Sequence, residues 1–197
     1  PYGEPSNLWA RELGVANTVV FDGTGHNHAL KLFNTDVYGI ARAFEEAENR
    51  QTQTGAAAHT HRTAVILGNG NTATSALAAC AMMGDVADVV VAARHPDRNP
   101  GLAACGERHG MSVRLVPLAD CIPDLAAADV AVNTIPAHGA DVVAQALLDA
   151  GVDVHGMLLD VVYDPRPTAL MRAWRKRGGI AIGGEEMLLY QAVAQVL

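Results

Sequence analysis

The chain has 197 residues, of which 50% are hydrophobic and 18% are charged, with a formal net charge of −7. A chain of this length can bury a full core, and its acidic balance argues against non-specific nucleic-acid binding. No apolar run approaches the roughly 18 residues of a membrane span, and no basic stretch precedes an apolar one as in a secretory signal. The three cysteines, an odd number without CxxC spacing, indicate reduced thiols in a soluble cytoplasmic protein.

The sequence opens at Pro1 without a Met, in what its composition indicates is the middle of a domain, so we expect it to be N-terminally incomplete. Residues 14–21 and Ala29–Phe33 are β-type segments, and the turn between them, rich in Gly, Thr, Asn and His, predicts a hairpin. From residue 37 to about 49 the apolar residues recur at helical spacing with glutamates on the opposite face, which predicts a surface helix.

Residues 51–62 are rich in Gln, Thr, Ala and His and show no periodicity, which predicts a linker between two lobes. His59 and His61 within it have the spacing of half a metal site. No Cys, Asp or Glu flanks them, however, and a zinc site needs more ligands than two, so free loop histidines are the favoured interpretation. We therefore expect no bound metal.

The centre of the chain has the pattern of a phosphate-binding βαβ unit. An apolar strand pattern at 65–67 leads into Gly68-Asn69-Gly70, and an Ala-rich helical pattern then runs to about Met83. Gly68 permits a sharp turn, Gly70 lets backbone amides approach a pyrophosphate, and Ala73 lets the helix pack close to the strand. A second apolar strand follows at the expected distance, so the pattern favours a dinucleotide over the alternative of a purely structural glycine turn.

The residues after that second strand, Ala93-Arg94-His95-Pro96-Asp97-Arg98, predict which dinucleotide binds. An NAD site typically places Asp or Glu here for the ribose 2′-hydroxyl, whereas guanidinium groups suit the 2′-phosphate of NADP. Arg94 and Arg98 therefore indicate NADP. The alternative that both are solvated turn residues stays open.

Helical and strand patterns alternate along the rest of the chain. The predicted helices are 102–110, 122–127, 138–151 and 168–177, the predicted strands are 112–117, 128–136, 158–162 and 180–182, and an amphipathic helix, 185–197, ends the sequence. Such alternation predicts an α/β protein with a Rossmann-like doubly wound parallel sheet, in which ligands bind at the carboxyl ends of the strands.

Five motifs in one order carry a family resemblance. They are Gly14-Val-Ala-Asn17-Thr18, Asn34-Thr35-Asp36-Val-Tyr-Gly39, the glycine turn at 68–73, Asp160-Val-Val-Tyr163-Asp-Pro165 with Thr168, and Gly184-Glu-Glu-Met187 with Gln191. With these motifs the chain resembles the shikimate dehydrogenase family. The resemblance implies NADP-dependent, reversible reduction of 3-dehydroshikimate to shikimate, a step of chorismate and aromatic amino-acid biosynthesis.

The resemblance also implies two lobes. Residues 1–50 would be the remnant of a smaller α/β substrate-binding lobe, 51–62 the linker, 63–184 the NADP-binding Rossmann domain, and 185–197 a helix that returns to the first lobe. The partner is then a small-molecule substrate, shikimate or 3-dehydroshikimate, with neither nucleic acid nor membrane, and a homodimer is an open alternative.

Residues that match motif positions acquire implied roles. Asn17, Asp36, Tyr163 and Gln191 match substrate-contacting positions, and such fixed polar groups select a polyol acid because a molecule without the hydroxyls would leave them unpaired. For Asn17 and Asp36 the alternative is turn capping. The implied cofactor residues are Gly68, Asn69, Gly70, Asn71, Thr72, Ala93, Arg94, Arg98, Val161, Gly184 and Met187.

Asp36 also matches the aspartate of the family's catalytic lysine–aspartate pair, in which the lysine handles the proton. The family's lysine motif and its Ser-x-Ser motif do not occur in this sequence, and Lys31 and Lys176 match neither, so we expect the chain alone to be inactive. Two alternatives stay open: a quinate or quinate/shikimate dehydrogenase that uses NAD, and a non-catalytic homologue that binds a nucleotide or polyol.

Overall fold

The computed structural model describes residues 3–23, 29–52 and 62–196. Its first part holds a short strand, a helix, two further strands and a long helix: β1 (Glu4–Pro5), α1 (Leu8–Leu13), β2 (Thr18–Asp22), β3 (Ala29–Phe33) and α2 (Asp36–Thr52). Strands β2 and β3 pair antiparallel, which confirms the predicted hairpin, and β1 pairs parallel with β3. The three form one small sheet in the order β1-β3-β2.

Helix α1 was not predicted. Its two ends explain why strand β2 begins at Thr18 and not at residue 14, where the predicted strand begins. The Asn7 side chain caps the helix by accepting a hydrogen bond from the Ala10 amide at 3.0 Å. Gly14 ends it in the left-handed conformation, with φ of 64°. Residues 14–17 are therefore a helix end and a turn, and β2 starts at Thr18.

The remaining residues alternate between strands and helices. They are β4 (Arg62–Leu67), α3 (Asn71–Met83), β5 (Val86–Ala93), α4 (Gly101–Arg108), β6 (Ser112–Pro117), α5 (Ile122–Ala127), β7 (Val130–Asn133), α6 (Asp141–Ala150), β8 (Met157–Asp160), α7 (Ala169–Lys176), β9 (Ile180–Gly183) and α8 (Gly184–Val196). The predicted elements of this region are all present, with shifts of a few residues at their ends.

Six strands form one parallel sheet in the order β6-β5-β4-β7-β8-β9. Numbered from β4, this is the order 3-2-1-4-5-6 of dinucleotide-binding sheets, and the chain reverses direction across the sheet between β4 and β7. Alternate strand residues face two separate hydrophobic cores. Ile66 belongs to the core that contains Phe44 and Leu77, whereas Leu67 belongs to the core that contains Trp174. The predicted Rossmann-like doubly wound fold is confirmed.

One strand and one helix of this region each differ by three residues at one end from the prediction, for a local reason. Strand β7 ends at Asn133 rather than at 136. The chain turns there because the side-chain oxygen of Asn133 accepts a hydrogen bond from the Ile135 backbone amide at 3.1 Å. Helix α6 begins at Asp141 rather than at 138, because His138 has φ of 65°, a conformation outside any right-handed helix.

The predicted linker overlaps its neighbouring elements. Helix α2 extends to Thr52 and β4 begins at Arg62, while the residues between them, including His59 and His61, lie outside the described part of the chain. The two elements are joined by Arg62, a residue 6% exposed, which pairs with Asp85 at 2.7 Å and with Glu48 of α2.

Helix α8 lies against α2. A Cβ atom at Gly39 would stand 2.7 Å from the Met187 carbonyl oxygen, so the two helices approach closely where α2 has no side chain. At the far end of the contact, Arg50 donates two hydrogen bonds of 2.9 Å to the Glu186 carboxylate. Within the residues that the structure describes, no helix is both long and apolar enough to span a bilayer.

Candidate functional site

A cleft opens at the carboxyl ends of β4, β5 and β7. It is lined by Gly68, Asn69, Gly70, Asn71, Thr72, Ala93, Arg94, His95, Arg98, Thr134, Ile135 and Pro136. All the predicted cofactor residues lie here except Val161, Gly184 and Met187. The cleft occupies the point where the strand order reverses, which is where open α/β sheets bind their ligands.

The glycine turn needs its first glycine for two reasons. Gly68 has φ of 103°, in the left-handed region, and a Cβ atom there would stand 2.4 Å from the Thr134 hydroxyl oxygen. That hydroxyl in turn donates to the Leu67 carbonyl oxygen at 2.7 Å, so it has little freedom to move away. A Cβ atom at Gly70 would meet none of the described residues within 4 Å, so the space beside this glycine is open to them.

Helix α3 begins directly after Gly70, and no side chain of the residues that the structure describes caps it. Its first backbone N–H groups therefore have no partner within the helix, and with the helix dipole they favour an anion at the cleft. This is the arrangement that the Gly68-Asn69-Gly70 pattern predicts.

Two amide side chains hold the loop after β5 against the glycine turn. Asn69 donates to the His95 carbonyl oxygen at 2.8 Å, and Asn99 donates to the Asn69 carbonyl oxygen at 3.1 Å. This loop carries Arg94 and Arg98, both exposed. Within the described part of the chain neither guanidinium forms a hydrogen bond or an ion pair, so both are available to an anion at the mouth of the cleft.

A second group of polar residues converges on Asn17. Its side-chain NH2 donates to Asp36 Oδ1 at 2.7 Å and lies 3.5 Å from Gln191 Oε1. Its side-chain oxygen accepts from the Thr35 amide at 2.8 Å, which turns the NH2 toward the Asp36 carboxylate. The three predicted residues, which come from the loop before β2, from α2 and from α8, are thus brought together.

Two further residues complete this cluster, and the sequence analysis did not single them out. Gln195 donates to the Thr18 hydroxyl at 3.0 Å, and Thr18 donates to the Asn17 side-chain oxygen at 3.2 Å. Gln195 follows Gln191 by four residues, so both side chains occupy one face of α8. That spacing was visible in the sequence, but the partner of Gln195 was not.

The Asp36 carboxyl is half-buried, and its burial raises its pKa, although the hydrogen bond from Asn17 opposes the shift. A carboxyl with a raised pKa holds a proton closer to neutrality, as groups at reactive sites commonly do. Neither lysine of the sequence stands beside it, because Lys31 pairs with Asp22 across the hairpin and Lys176 ends α7.

Asp160 lies at the end of β8 and is fully buried. Its carboxylate accepts hydrogen bonds from the Thr168 hydroxyl at 2.6 Å, from the Asn133 amide group at 2.9 Å and from the Val162 backbone at 3.1 Å. Burial raises the pKa of this carboxyl, and the three hydrogen bonds oppose the shift. The network fixes the start and the end of the loop that carries Tyr163.

Tyr163 is 59% exposed, and within the described residues its hydroxyl has no hydrogen-bond partner. It does not join the cluster of Asn17, Asp36 and Gln191. Val161, Gly184 and Met187 do come together with one another: a Cβ atom at Gly184 would stand 2.5 Å from the Val161 carbonyl oxygen, and Val161 and Met187 pack in the same core. They lie where β8 meets α8, outside the glycine-turn cleft.

No group of three or more His, Cys, Asp or Glu side chains among the described residues is arranged to hold a metal ion.

Comparisons with known proteins bear on this site. No protein-family model matches the chain. A curated relative, the shikimate dehydrogenase (NADP(+)) of Rubrobacter xylanophilus, is 33% identical over 93% of this chain and 61% of its own length. The curated relatives that match are longer proteins, and the chain spans about three fifths of their length.

Two solved structures are similar over nearly the whole chain. The shikimate dehydrogenase of Mycobacterium tuberculosis superposes with a TM-score of 0.77 and 36% identity, covering 99% of this chain and 67% of that one. The quinate dehydrogenase of Corynebacterium glutamicum, solved with NAD, gives a TM-score of 0.72 and 29% identity, covering 94% of this chain and 62% of that one.

Proposed function

The chain belongs to the shikimate dehydrogenase family, and from this premise we propose that it binds NADP at the glycine turn and a hydroxylated ring acid at Asn17, Asp36 and Gln191. The reaction is the reversible reduction of 3-dehydroshikimate to shikimate, in aromatic amino-acid biosynthesis. One observation carries the proposal: three side chains from distant parts of the sequence form a single hydrogen-bonded cluster.

The glycine-turn cleft fits a dinucleotide with a 2′-phosphate. The start of α3 and the open space at Gly70 suit a pyrophosphate. Arg94 and Arg98, which have no partner among the described residues, suit the additional phosphate. No Asp or Glu lines this cleft, so the residues described provide neither the carboxylate typical of NAD sites nor a charge that would repel the 2′-phosphate. Bound NADP supplies or accepts the hydride.

The Asn17 cluster fits a ligand with several hydroxyl groups. An ionised Asp36 carboxylate can only accept hydrogen bonds, whereas the amides of Asn17 and Gln191 each offer a donor and an acceptor. Because Asn17 is oriented by Thr35 and Thr18, its NH2 is held in place before a ligand arrives. We propose Tyr163 as a further substrate contact, and Val161, Gly184 and Met187 as residues beside the nicotinamide.

Asp36 is proposed as the carboxylate partner of the group that exchanges a proton with the substrate oxygen. Its raised pKa and its hydrogen bond to Asn17 support that role. Since neither Lys31 nor Lys176 is near it, we propose that this chain by itself binds ligands but does not turn them over. Three further features stay predictions: the division of the chain into lobes at residues 50, 62 and 184, a cytoplasmic location, and a homodimer.

The second candidate is a quinate dehydrogenase that uses NAD, which the similarity to the Corynebacterium glutamicum protein favours. The two candidates differ in the preferred cofactor and in the ring acid. Quinate carries one more hydroxyl than shikimate, so the Asn17 cluster would have to accommodate an additional polar group.

Isothermal titration of the purified chain with NADPH, NADH, shikimate and quinate tests the proposal. We expect NADPH to bind more tightly than NADH, and shikimate to bind more tightly than quinate. The substitution Gln191→Ala should weaken the binding of the ring acid without changing the affinity for NADPH. Tighter binding of NADH and quinate would support the second candidate. A chain that binds neither dinucleotide and neither acid would refute both.

A further inference from the structure

Two consecutive hydrogen bonds connect the end of α8 with the amide at the centre of the proposed substrate site. Gln195 lies in the last turn of α8, and its side-chain NH2 donates to the Thr18 hydroxyl oxygen at 3.0 Å. Thr18 is the first residue of β2, and its hydroxyl donates to the Asn17 side-chain oxygen at 3.2 Å. Gln195 thus reaches Asn17 through one intervening hydroxyl group.

The Thr18 hydroxyl has a single proton to donate, and two oxygen atoms of the cluster lie within its reach. They are the Asn17 side-chain oxygen at 3.2 Å and the Thr35 hydroxyl oxygen at 3.3 Å. The NH2 of Gln195 can only donate, so the Thr18 proton does not point toward α8. The Thr35 oxygen already accepts from the Asn17 NH2 at 2.9 Å, which favours the Asn17 oxygen as the acceptor of the Thr18 proton.

The direction of the Asn17 amide depends on the donors that meet its oxygen. The Thr35 backbone amide at 2.8 Å and the Thr18 hydroxyl at 3.2 Å together use both lone pairs of that oxygen. Turning the amide over would place its NH2 against these two donors. The NH2 therefore faces Asp36 Oδ1 at 2.7 Å and Gln191 Oε1 at 3.5 Å.

We propose that Gln195 is a positioning residue of the substrate site, which acts through Thr18 on the Asn17 amide and makes no contact of its own with the ring acid. This inference rests on the proposed function. By donating to Thr18, Gln195 directs the hydroxyl proton onto the Asn17 oxygen and so holds the Asn17 NH2 toward Asp36 and the ligand. An amide that is oriented before the ligand arrives loses less conformational freedom on binding, so the ring acid binds more tightly.

Isothermal titration with shikimate and with NADPH tests the role of Gln195. Gln195→Leu keeps the approximate size of the side chain and removes its donor. We expect the affinity for shikimate to fall about threefold to tenfold, as for the loss of one hydrogen bond between neutral groups, and the affinity for NADPH to stay unchanged. Gln145→Leu is the matched control, because Gln145 is an exposed glutamine of α6 that bonds Asp149 at 2.7 Å, and this variant should bind both ligands as the unaltered chain does.

Two variants of Thr18 distinguish a positioning role from a merely structural one. Thr18→Ser keeps the hydroxyl and should bind shikimate as the unaltered chain does, whereas Thr18→Val replaces it with a methyl group and should lose at least as much affinity as Gln195→Leu. In the Thr18→Val background, Gln195→Leu should cause no further loss, because Gln195 then has no hydroxyl through which to act. A residue that only stabilised α8 would instead give losses that add.

Each remaining outcome decides the question. If Gln195→Leu binds shikimate as tightly as the unaltered chain, or if its loss adds to that of Thr18→Val, the role of Gln195 is refuted and the substrate site is not. If the unaltered chain does not bind shikimate at all, both are refuted.

Discussion

The side-chain amide of Asn34 donates a hydrogen bond to the Ser75 hydroxyl oxygen at 3.0 Å, and both residues are buried. Asn34 stands two residues before Asp36, at the start of α2, whereas Ser75 lies on α3, the helix that begins at the glycine turn. The same amide also donates to the Val15 carbonyl oxygen at 3.2 Å. A single carboxamide therefore joins the loop of Asn17, the helix of Asp36 and the helix of the proposed pyrophosphate site.

Replacing Ser75 with Ala should destabilise the chain. The substitution leaves one N–H of the buried Asn34 amide without a partner, and an unsatisfied buried polar group costs about 1–3 kcal/mol. Urea unfolding followed by circular dichroism measures the free energy of unfolding. Ser112→Ala, at an exposed position of β6, is the control and should change stability by less than about 0.5 kcal/mol. Equal effects of the two substitutions would show that the Asn34–Ser75 bond contributes nothing.

Arg94→Ala should weaken the binding of NADPH far more than the binding of NADH. A hydrogen bond to a charged group contributes about 1.5–3 kcal/mol, which corresponds to a loss of roughly ten- to a hundredfold in affinity. Fluorescence of the bound reduced nicotinamide measures both dissociation constants. Arg114→Ala is the matched control, because Arg114 is an exposed arginine of β6 that pairs with Asp124 outside the cleft. An unchanged ratio of the two dissociation constants would contradict the assignment of Arg94 to the 2′-phosphate.

The sequence predicted the features that local patterns encode. The alternation of apolar strands and amphipathic helices predicted the parallel sheet, and the glycines at 68 and 70 predicted the cleft at its edge. Helix α1 was missed because it is short and because the cap at Asn7 is recognisable only when its contact with the Ala10 amide is seen. His138 shows the same limit, since a positive φ in a non-glycine residue leaves no mark on the pattern.

The sequence also did not predict the contacts between distant segments. Asn34 and Ser75 are 41 positions apart, and Thr18 and Gln195 are 177 apart, so no periodicity relates them. Asn17, Asp36 and Gln191 were predicted only because each belongs to a motif of a known family. Their hydrogen bonds, and the orientation of the Asn17 amide by Thr35, follow from the packing of α8 on α2 and not from any local signal.

Gly39→Ala should separate α8 from α2 and so disturb the Asn17 cluster. The added Cβ would stand 2.7 Å from the Met187 carbonyl oxygen and 3.1 Å from the Gln191 Cβ, and backbone cannot rotate away as a side chain can. We expect a loss of stability of about 1–3 kcal/mol, as for other overpacked sites, with weaker binding of shikimate. Urea unfolding and isothermal titration measure the two effects.

Gly101→Ala is the control for this substitution. Gly101 is the first residue of α4, and a Cβ there would meet only the Asn99 side chain at an ordinary 3.5 Å. Alanine is favoured over glycine in helices by up to about 1 kcal/mol, so this change should leave stability equal or higher. If Gly39→Ala behaves like Gly101→Ala, the close approach of α2 and α8 is not needed for the cluster.

Asp36→Asn should stabilise the chain at neutral pH while removing its proposed role in proton exchange. Because burial raises the pKa of Asp36, the folded chain holds that proton more tightly than the unfolded chain, whose aspartates titrate near 3.9. The Asp36 contribution to the free energy of unfolding therefore falls as the pH rises from about 3.9 through the raised pKa of the folded state. Asparagine has no charge to desolvate, and its side-chain oxygen can still accept the hydrogen bond from Asn17.

The measurement is the free energy of unfolding in urea at pH 4 and at pH 7, for the unaltered chain and for Asp36→Asn. The advantage of the asparagine variant should be present at pH 7 and should shrink as the pH falls through the raised pKa of Asp36, because the carboxyl of the unaltered chain then takes up a proton. Comparing the two proteins cancels the contribution of Asp160, whose pKa is raised by the same cause. Asp153→Asn, at a side chain 90% exposed, should show no such advantage. A variant that is less stable than the unaltered chain at pH 7 would mean that the ionised carboxylate, through its bond to Asn17, stabilises the cluster more than its burial destabilises it.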